Sequence, residues 1–242
     1  NFVIKDTTAT DNYVLTVDSS GEAGWEAAAG GATDIDGLSD ALTNSSGGTI
    51  GLGTGALAND DGSTNQNTAL GYNALNTVTT GNQNIAVGFE AGKDVTTAYS
   101  TVSLGYHANR YATTGNSNTS VGHGAGLNTT TGNFNVNVGS SAGYNNVTSA
   151  GNTNIGDSAG LNTTSDNCVA VGRYANYGGT GTFNTAVGKD AMYAAGSKNH
   201  NTAIGGRALW SSTTATYNST LGYNAGDALT TGSNNTILGN GS

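Results

Sequence analysis

Residues 67–75 read NTALGYNAL, and the same frame returns as NTAVGKDAM at 184–192 and NTAIGGRAL at 201–209. Its glycine marks a column along most of the chain: Gly53, Gly71, Gly88, Gly105, Gly122, Gly139, Gly156, Gly172, Gly188, Gly205, Gly222 and Gly239. The steps are 17 residues, apart from one of 18 and two of 16. Fixed self-similarity of this length specifies a stack of short supersecondary units in which each unit contacts its neighbours, not one globular core.

Counting from the column glycine shows how a unit is built. The position before it is Leu, Val or Ile throughout, and the position three before is β-branched or serine, as in Thr68, Ile85, Val102 and Ser219. Between them stands a small or variable residue such as Ala69 or Asn137. This alternation has the period of a strand. It predicts a strand of about four residues per coil whose −3 and −1 side chains point inward. The glycine ends the strand, at a positive φ or where the next coil's backbone comes close.

Three residues after the glycine stands alanine in every coil but the last, from Ala56 and Ala74 to Ala225, which predicts a tight inner corner. Four before it, nine coils have asparagine, among them Asn67, Asn84, Asn118, Asn135 and Asn152. Stacked in register these amides can form a hydrogen-bonded ladder. The competing reading is an asparagine chosen for left-handed turn geometry. Cys168, the single cysteine, occupies this column and reads as a small buried substitute, so no disulfide framework exists within one chain.

Composition agrees with a roll of stacked coils. The 242 residues include 39 glycines and no proline, with 35% hydrophobic and 10% charged residues. Proline would remove ladder hydrogen bonds from a continuous sheet. Twelve coils at ordinary strand spacing make a rod roughly 55 Å long. Residues 1–61 hold ten acidic side chains and one lysine, whereas 62–242 hold six acidic and six basic ones. The rod is thus neutral and the net charge of −9 lies at the N-terminal end, which argues against nucleic acid as a partner. No apolar run approaches a membrane span. No signal peptide is visible, and the start at Asn1 without methionine points to a processed or partial protein.

Three segments follow. Residues 1–32 read as a β connector, with strands at Phe2–Lys5 and Tyr13–Val17, a turn at Asp18–Gly21 and then Trp25. Residues 33–48 read as a short helical, coiled-coil linker, with Ile35, Leu38 and Leu42 on one seam and Asp34 as a cap, or else as a linker turn. Residues 49–242 are the solenoid.

The unit N-T-A-[LIV]-G-x-x-A resembles the head repeats of trimeric autotransporter adhesins and, more closely, the repeat shafts of bacteriophage tail fibres that often precede an endosialidase-type intramolecular chaperone. The likeness covers about residues 49–242, and YVLTVDSSGEAGW (13–25) is similar to connectors of phage fibre proteins. The resemblance implies a left-handed parallel β-roll in which three chains pack side by side into a virion fibre or a surface adhesin. The longer coils, and the lack of a basic neck or membrane-anchor helix, favour the phage reading. It places any chaperone beyond Ser242. The expected partners are two further copies, other fibre or baseplate proteins at the N-terminus, and a host-surface glycan or protein. A bacterial surface adhesin is the nearest alternative.

No catalytic constellation is legible, and neither a cofactor nor a metal is expected. His107, His123 and His200 are scattered, and the calcium-binding nonapeptide is missing. Two surface columns remain. Five after the glycine, Tyr144, Leu161, Tyr177, Tyr193 and Trp210 predict an apolar stripe that serves either a neighbouring chain or a glycan. One after the glycine come Tyr72, Phe89, Tyr106, His123, Arg173, Lys189 and Tyr223. Gly71, Gly88, Gly105 and Gly122, with Asn67, Asn84 and Asn118, carry structure. An ice-binding solenoid is a different class of function. It is disfavoured because the most regular threonine column, at Thr68, Thr119, Thr153, Thr185 and Thr202, is expected to face inward.

Overall fold

The computed structural model describes residues 13–17, 23–27, 41–44, 47–63, 65–194 and 196–241. Strands β1 (Tyr13–Val17) and β2 (Ala23–Ala27) pair antiparallel, with Leu15 opposite Trp25. The strand expected at Phe2–Lys5 and the turn at Asp18–Gly21 lie outside the described residues.

The rest of the described chain is a β-solenoid. Twelve parallel strands stack in sequence order: β4 (Thr49–Leu52), β5 (Thr68–Leu70), β6 (Ile85–Val87), β7 (Val102–Leu104), β8 (Thr119–Val121), β9 (Val136–Val138), β10 (Thr153–Ile155), β11 (Val169–Val171), β12 (Thr185–Val187), β13 (Thr202–Ile204), β14 (Ser219–Leu221) and β15 (Thr236–Leu238). Register is constant, with equivalent positions of successive coils opposite one another, as in Thr68 with Ile85 and Leu70 with Val87. The corners and turns stack as well. Leu75 N donates to Ala91 O and Thr113 N to Thr130 O, so the axial ladder is not confined to the strands.

At the N-terminal end β3 (Ala41–Asn44) pairs antiparallel with β4 and covers its outer edge. This differs from the helical reading of the linker: Leu42 lies in a strand opposite Gly51. An isolated two-turn helix is marginal, whereas the open edge of β4 offers a ready row of backbone partners. Residues 33–40 lie outside the described residues.

The column glycines satisfy both expected reasons at once. Gly88 has φ of 133°, and a Cβ there would stand 2.5 Å from the carbonyl oxygen of Gly105. The asparagine column is a ladder. Each side-chain oxygen accepts from the backbone N–H of the next coil, as in Asn84 N to Asn67 Oδ1 at 2.9 Å and Asn135 N to Asn118 Oδ1 at 2.9 Å. Each amide NH2 donates to a turn carbonyl, Asn67 to Gly81 O and Asn118 to Gly132 O. Left-handed geometry belongs to the residue before, Gln66 or Gln83 for example, which overturns the turn reading of the asparagines. Cys168 is buried in this column as expected. Its N–H takes the Asn152 oxygen and its Sγ faces Gly181 O.

One expectation is reversed. The strands bury their middle residue and leave the two flanking ones toward solvent: Ala86 is buried between exposed Ile85 and Val87. The interior therefore receives the −2 column, not −3 and −1. Corner alanines such as Ala74, Ala91 and Ala108, together with larger residues at +4 such as Leu57, Leu75, Met192 and Leu209, complete it. The reason is space: the strand centre shares the coil's narrow interior with the +4 corner, so it is alanine where a large residue such as Leu75, Met192 or Leu209 fills that corner.

Candidate interaction surface

With its phase settled, the sheet presents a long outward strip. Its two-residue alternation puts Ile50, Leu70, Ile85, Val87, Ile155, Ile204 and Leu221 at the surface, with exposures from 37% for Val87 to 51% for Leu221. The threonine column predicted to face inward, Thr68, Thr119, Thr153, Thr185 and Thr202, lies on this same strip, exposed or half-buried while the strand centres are buried. Residues at −5 and +1 form its two margins.

The +1 margin carries a continuous aromatic ladder in the first coils. Tyr72, Phe89, Tyr106 and His123 stack with centroids 5.1, 5.3 and 5.2 Å apart and interplanar angles of 15°, 11° and 1°. Parallel rings this close lie face on face in an offset stack. Tyr223, at the same position nine coils later, lies over Gly206 and outside that ladder.

The +5 column gathers only in part. Tyr177, Tyr193 and Trp210 stack at 5.1 and 6.1 Å, Tyr174 meets Tyr177 and Tyr193 edge-on, and the Arg207 guanidinium lies 4.8 Å from the Trp210 ring centre. These rings are half-buried against their own chain. Tyr144 stands apart, folded over Gly124.

Two groupings were not read from sequence. Phe183, His200 and Tyr217 stack at 5.2 and 4.8 Å along the −5 margin, every one of them at a positive φ. Glu90 is the hub of the other: its Oε1 is 3.1 Å from Lys93 Nζ, and its Oε2 lies 2.9 Å from an Arg110 nitrogen and 3.1 Å from His107 Nε2. The histidine contact lacks hydrogen-bond alignment and carries charge only when the imidazole is protonated. Burial pushes the Glu90 carboxyl up, but the Lys93 hydrogen bond and the charges of Arg110, Lys93 and His107 outweigh it and hold it below the usual range. Burial, helped by Arg110, holds the His107 imidazole below its ordinary value against the pull of Glu90. The signal was available: Glu90 and His107 are 17 residues apart, as are Lys93 and Arg110, so one coil of register superposes both pairs.

These groups are taken up by contacts within the fold. Glu90 is paired with the charges of Lys93 and Arg110 and offers no free carboxylate. Lys198 is fully buried, donating to the carbonyls of Met192 and Ala194, and burial pulls its amine down to about 8. Among the described residues, no group of three or more His, Cys, Asp or Glu side chains is placed to hold a metal ion. No helix among them is long and apolar enough to cross a membrane. Comparison of the chain with protein-family models, with curated proteins and with solved structures returned no match.

Proposed function

We propose that this chain is the shaft of a homotrimeric fibre, of the kind that projects from a phage virion and contributes to host-cell attachment. The observation that carries the reading is the outward strip of β-branched and aliphatic side chains along all twelve strands. Twelve strands about 4.8 Å apart and a strip about 10 Å wide give roughly 500 Å² of mostly apolar surface, at the size where a contiguous patch marks an interaction site. Copies of the same chain, aligned along a common axis, bury such a strip over its whole length. Three copies also repeat every weak surface contact three times, which raises avidity without any new contact. The acidic N-terminal segment then joins the rod to the preceding fibre or baseplate proteins. A bacterial trimeric adhesin would use the same rod on a cell surface.

The shaft acts as a spacer more than as a sugar platform. The aromatic ladders turn their faces to one another, so within them free ring faces for stacking on a glycan remain at ends such as Tyr72 and Tyr217, beside isolated exposed rings such as Phe134 and Tyr223. Light scattering tests the assembly: a native mass of about 72 kDa, three chains of 24.0 kDa, is expected, and a stable single chain overturns the reading.

A second reading is favoured by the outward threonines. Thr68, Thr119, Thr153, Thr185 and Thr202 on a flat, uncharged face would suit an ice-binding solenoid, and the inward-facing argument against it no longer holds. That reading requires the strip to stay bare. A single chain showing thermal hysteresis of freezing would establish it, and a trimer without hysteresis would remove it.

A further inference from the structure

The outward strip is bordered by two margins that differ coil by coil. In the coils of Gly71 to Gly122 the +1 margin carries the rings, while the −5 margin carries Gln66, Gln83, Ser100 and Ser117. At the next coil the order reverses: Phe134 stands at −5 and Ser140 at +1. Phe183 likewise faces Lys189 across its strand, and only the coil of Gly222 has rings on both margins.

Nothing within one chain explains this exchange. The two margins of a coil lie at opposite ends of its three-residue strand, so their side chains do not meet. Phe134 shows the problem most clearly. It is 64% exposed at a φ of 60°, and its column neighbours Ser117 and Gly151 offer no ring to stack on. A bulky residue in left-handed geometry costs on the order of 1 kcal/mol and calls for a compensating contact.

We infer that the two margins form a single seam between copies of this chain, in which the +1 margin of one copy packs against the −5 margin of the next at the same coil level. This rests on the side-by-side assembly proposed above. Rotation about an axis parallel to the rod brings those two margins together at equal height, whatever the number of copies. Ring then meets small residue along the rod: Tyr106 against Ser100 of the next copy, Phe134 against Ser140. Where Phe183 meets Lys189, the ammonium gains an aromatic face. The seam keeps a similar width where one margin carries a ring and the other a small residue, as in the coils of Gly105 and Gly139. Packing out of register would set ring against ring or small against small.

Paired cysteines in the full 242-residue chain test this. Ser117→Cys with His123→Cys occupies both margins of one coil, and Phe134→Cys with Ser140→Cys provides a second such pair should the first fail to fold. Ser117→Cys with Tyr72→Cys, three coils apart, is the offset control. Each protein is sized by light scattering, oxidised with diamide and run on a non-reducing denaturing gel, beside the unsubstituted chain whose Cys168 is buried. Same-coil pairs are expected to convert more than half of the chains to covalent trimer, and the offset pair to run as single chains. A trimer by mass in which the same-coil pairs stay unlinked, or in which the offset pair links, overturns the seam while leaving the assembly intact. A single-chain mass for the unsubstituted protein overturns both.

Discussion

Coils near the two ends and coils in the middle share one backbone but hold their interiors together differently. At the N-terminal end the core is Leu57, Leu75, Val78 and Val95 among alanines, and toward the C-terminus it is Met192 and Leu209 among alanines. Between these clusters the strand centres change to Ser103, Ser120, Asn137 and Asn154, and the apolar +4 residues give way to Asn109, Gly126, Gly143 and Gly160. The middle is a chain of side-chain hydrogen bonds: Asn109 to Ser103, Ser120 to Asn109, Asn137 to Ser120 and Asn154 to Asn137, at 3.0, 2.7, 3.3 and 2.9 Å. The largest interior side chains are balanced by small ones beside them. Where Leu75 fills the corner the strand centre is alanine, and where Asn137 fills the centre the corner is Gly143, whose absent Cβ would collide with Asn137 Oδ1. A solenoid of fixed cross-section thus accepts an apolar or a polar interior, provided that size is balanced and the polar groups find partners.

The contrast can be broken most severely through that balance. Gly143→Ala, at a φ of 58° and against a buried amide, is expected to cost about 3–4 kcal/mol, while Gly62→Ala, with nothing near its Cβ, costs about 1 kcal/mol for its left-handed geometry. Chemical denaturation of both variants reads the difference, and equal losses would refute the steric account.

Next, the two interiors should respond differently to paired truncation. Leu75→Ala should lose about 3 kcal/mol to its cavity. Asn137→Ala should lose about 2 kcal/mol by orphaning its neighbours, and adding Asn154→Ala should cost less than the sum, since both partners of one bond are then gone. Strict additivity would mean that the central ladder contributes volume only.

Lys198 sharpens the comparison at the edge of the C-terminal cluster. Its amine is lowered from 10.5 to about 8 by burial, so between these values the unfolded chain binds the proton and the folded chain does not. Stability should therefore rise with pH from 8 to 10.5, by up to about 3 kcal/mol, and Lys198→Met should remove the rise. The same sign governs His107 below pH 6.5 and Glu90 below pH 4.5, where acid should weaken the N-terminal coils. Titration of His107 by NMR checks the direction, with a midpoint above 6.5 counting against it. The smallest effect is expected at the margin: Phe134→Asn should leave the stability of a single chain within about 0.5 kcal/mol, because it touches no core and asparagine tolerates its φ.

Much of this molecule can be read from its amino acids. Although the asparagine column left ladder and turn open, the coil length, the strand positions, the glycine that ends each strand and the corner alanine are each fixed by residues recurring at one spacing. They are local demands of backbone geometry, and repetition makes them visible. The phase of the strand was not legible. Thr68-Ala69-Leu70 alternates with the right period, but alanine is compatible with either face, and only closure of the coil, in which Leu75 already fills the corner beside the strand centre, decides that Ala69 points in and Leu70 out. The same holds for the rings. Sequence places Tyr177, Tyr193 and Trp210 in one column, yet whether they offer their faces to a ligand or to each other depends on the stacking of the coils, which leaves their ring centres 5.1 and 6.1 Å apart. Periodicity belongs to the chain; inside, outside and contact belong to its packing.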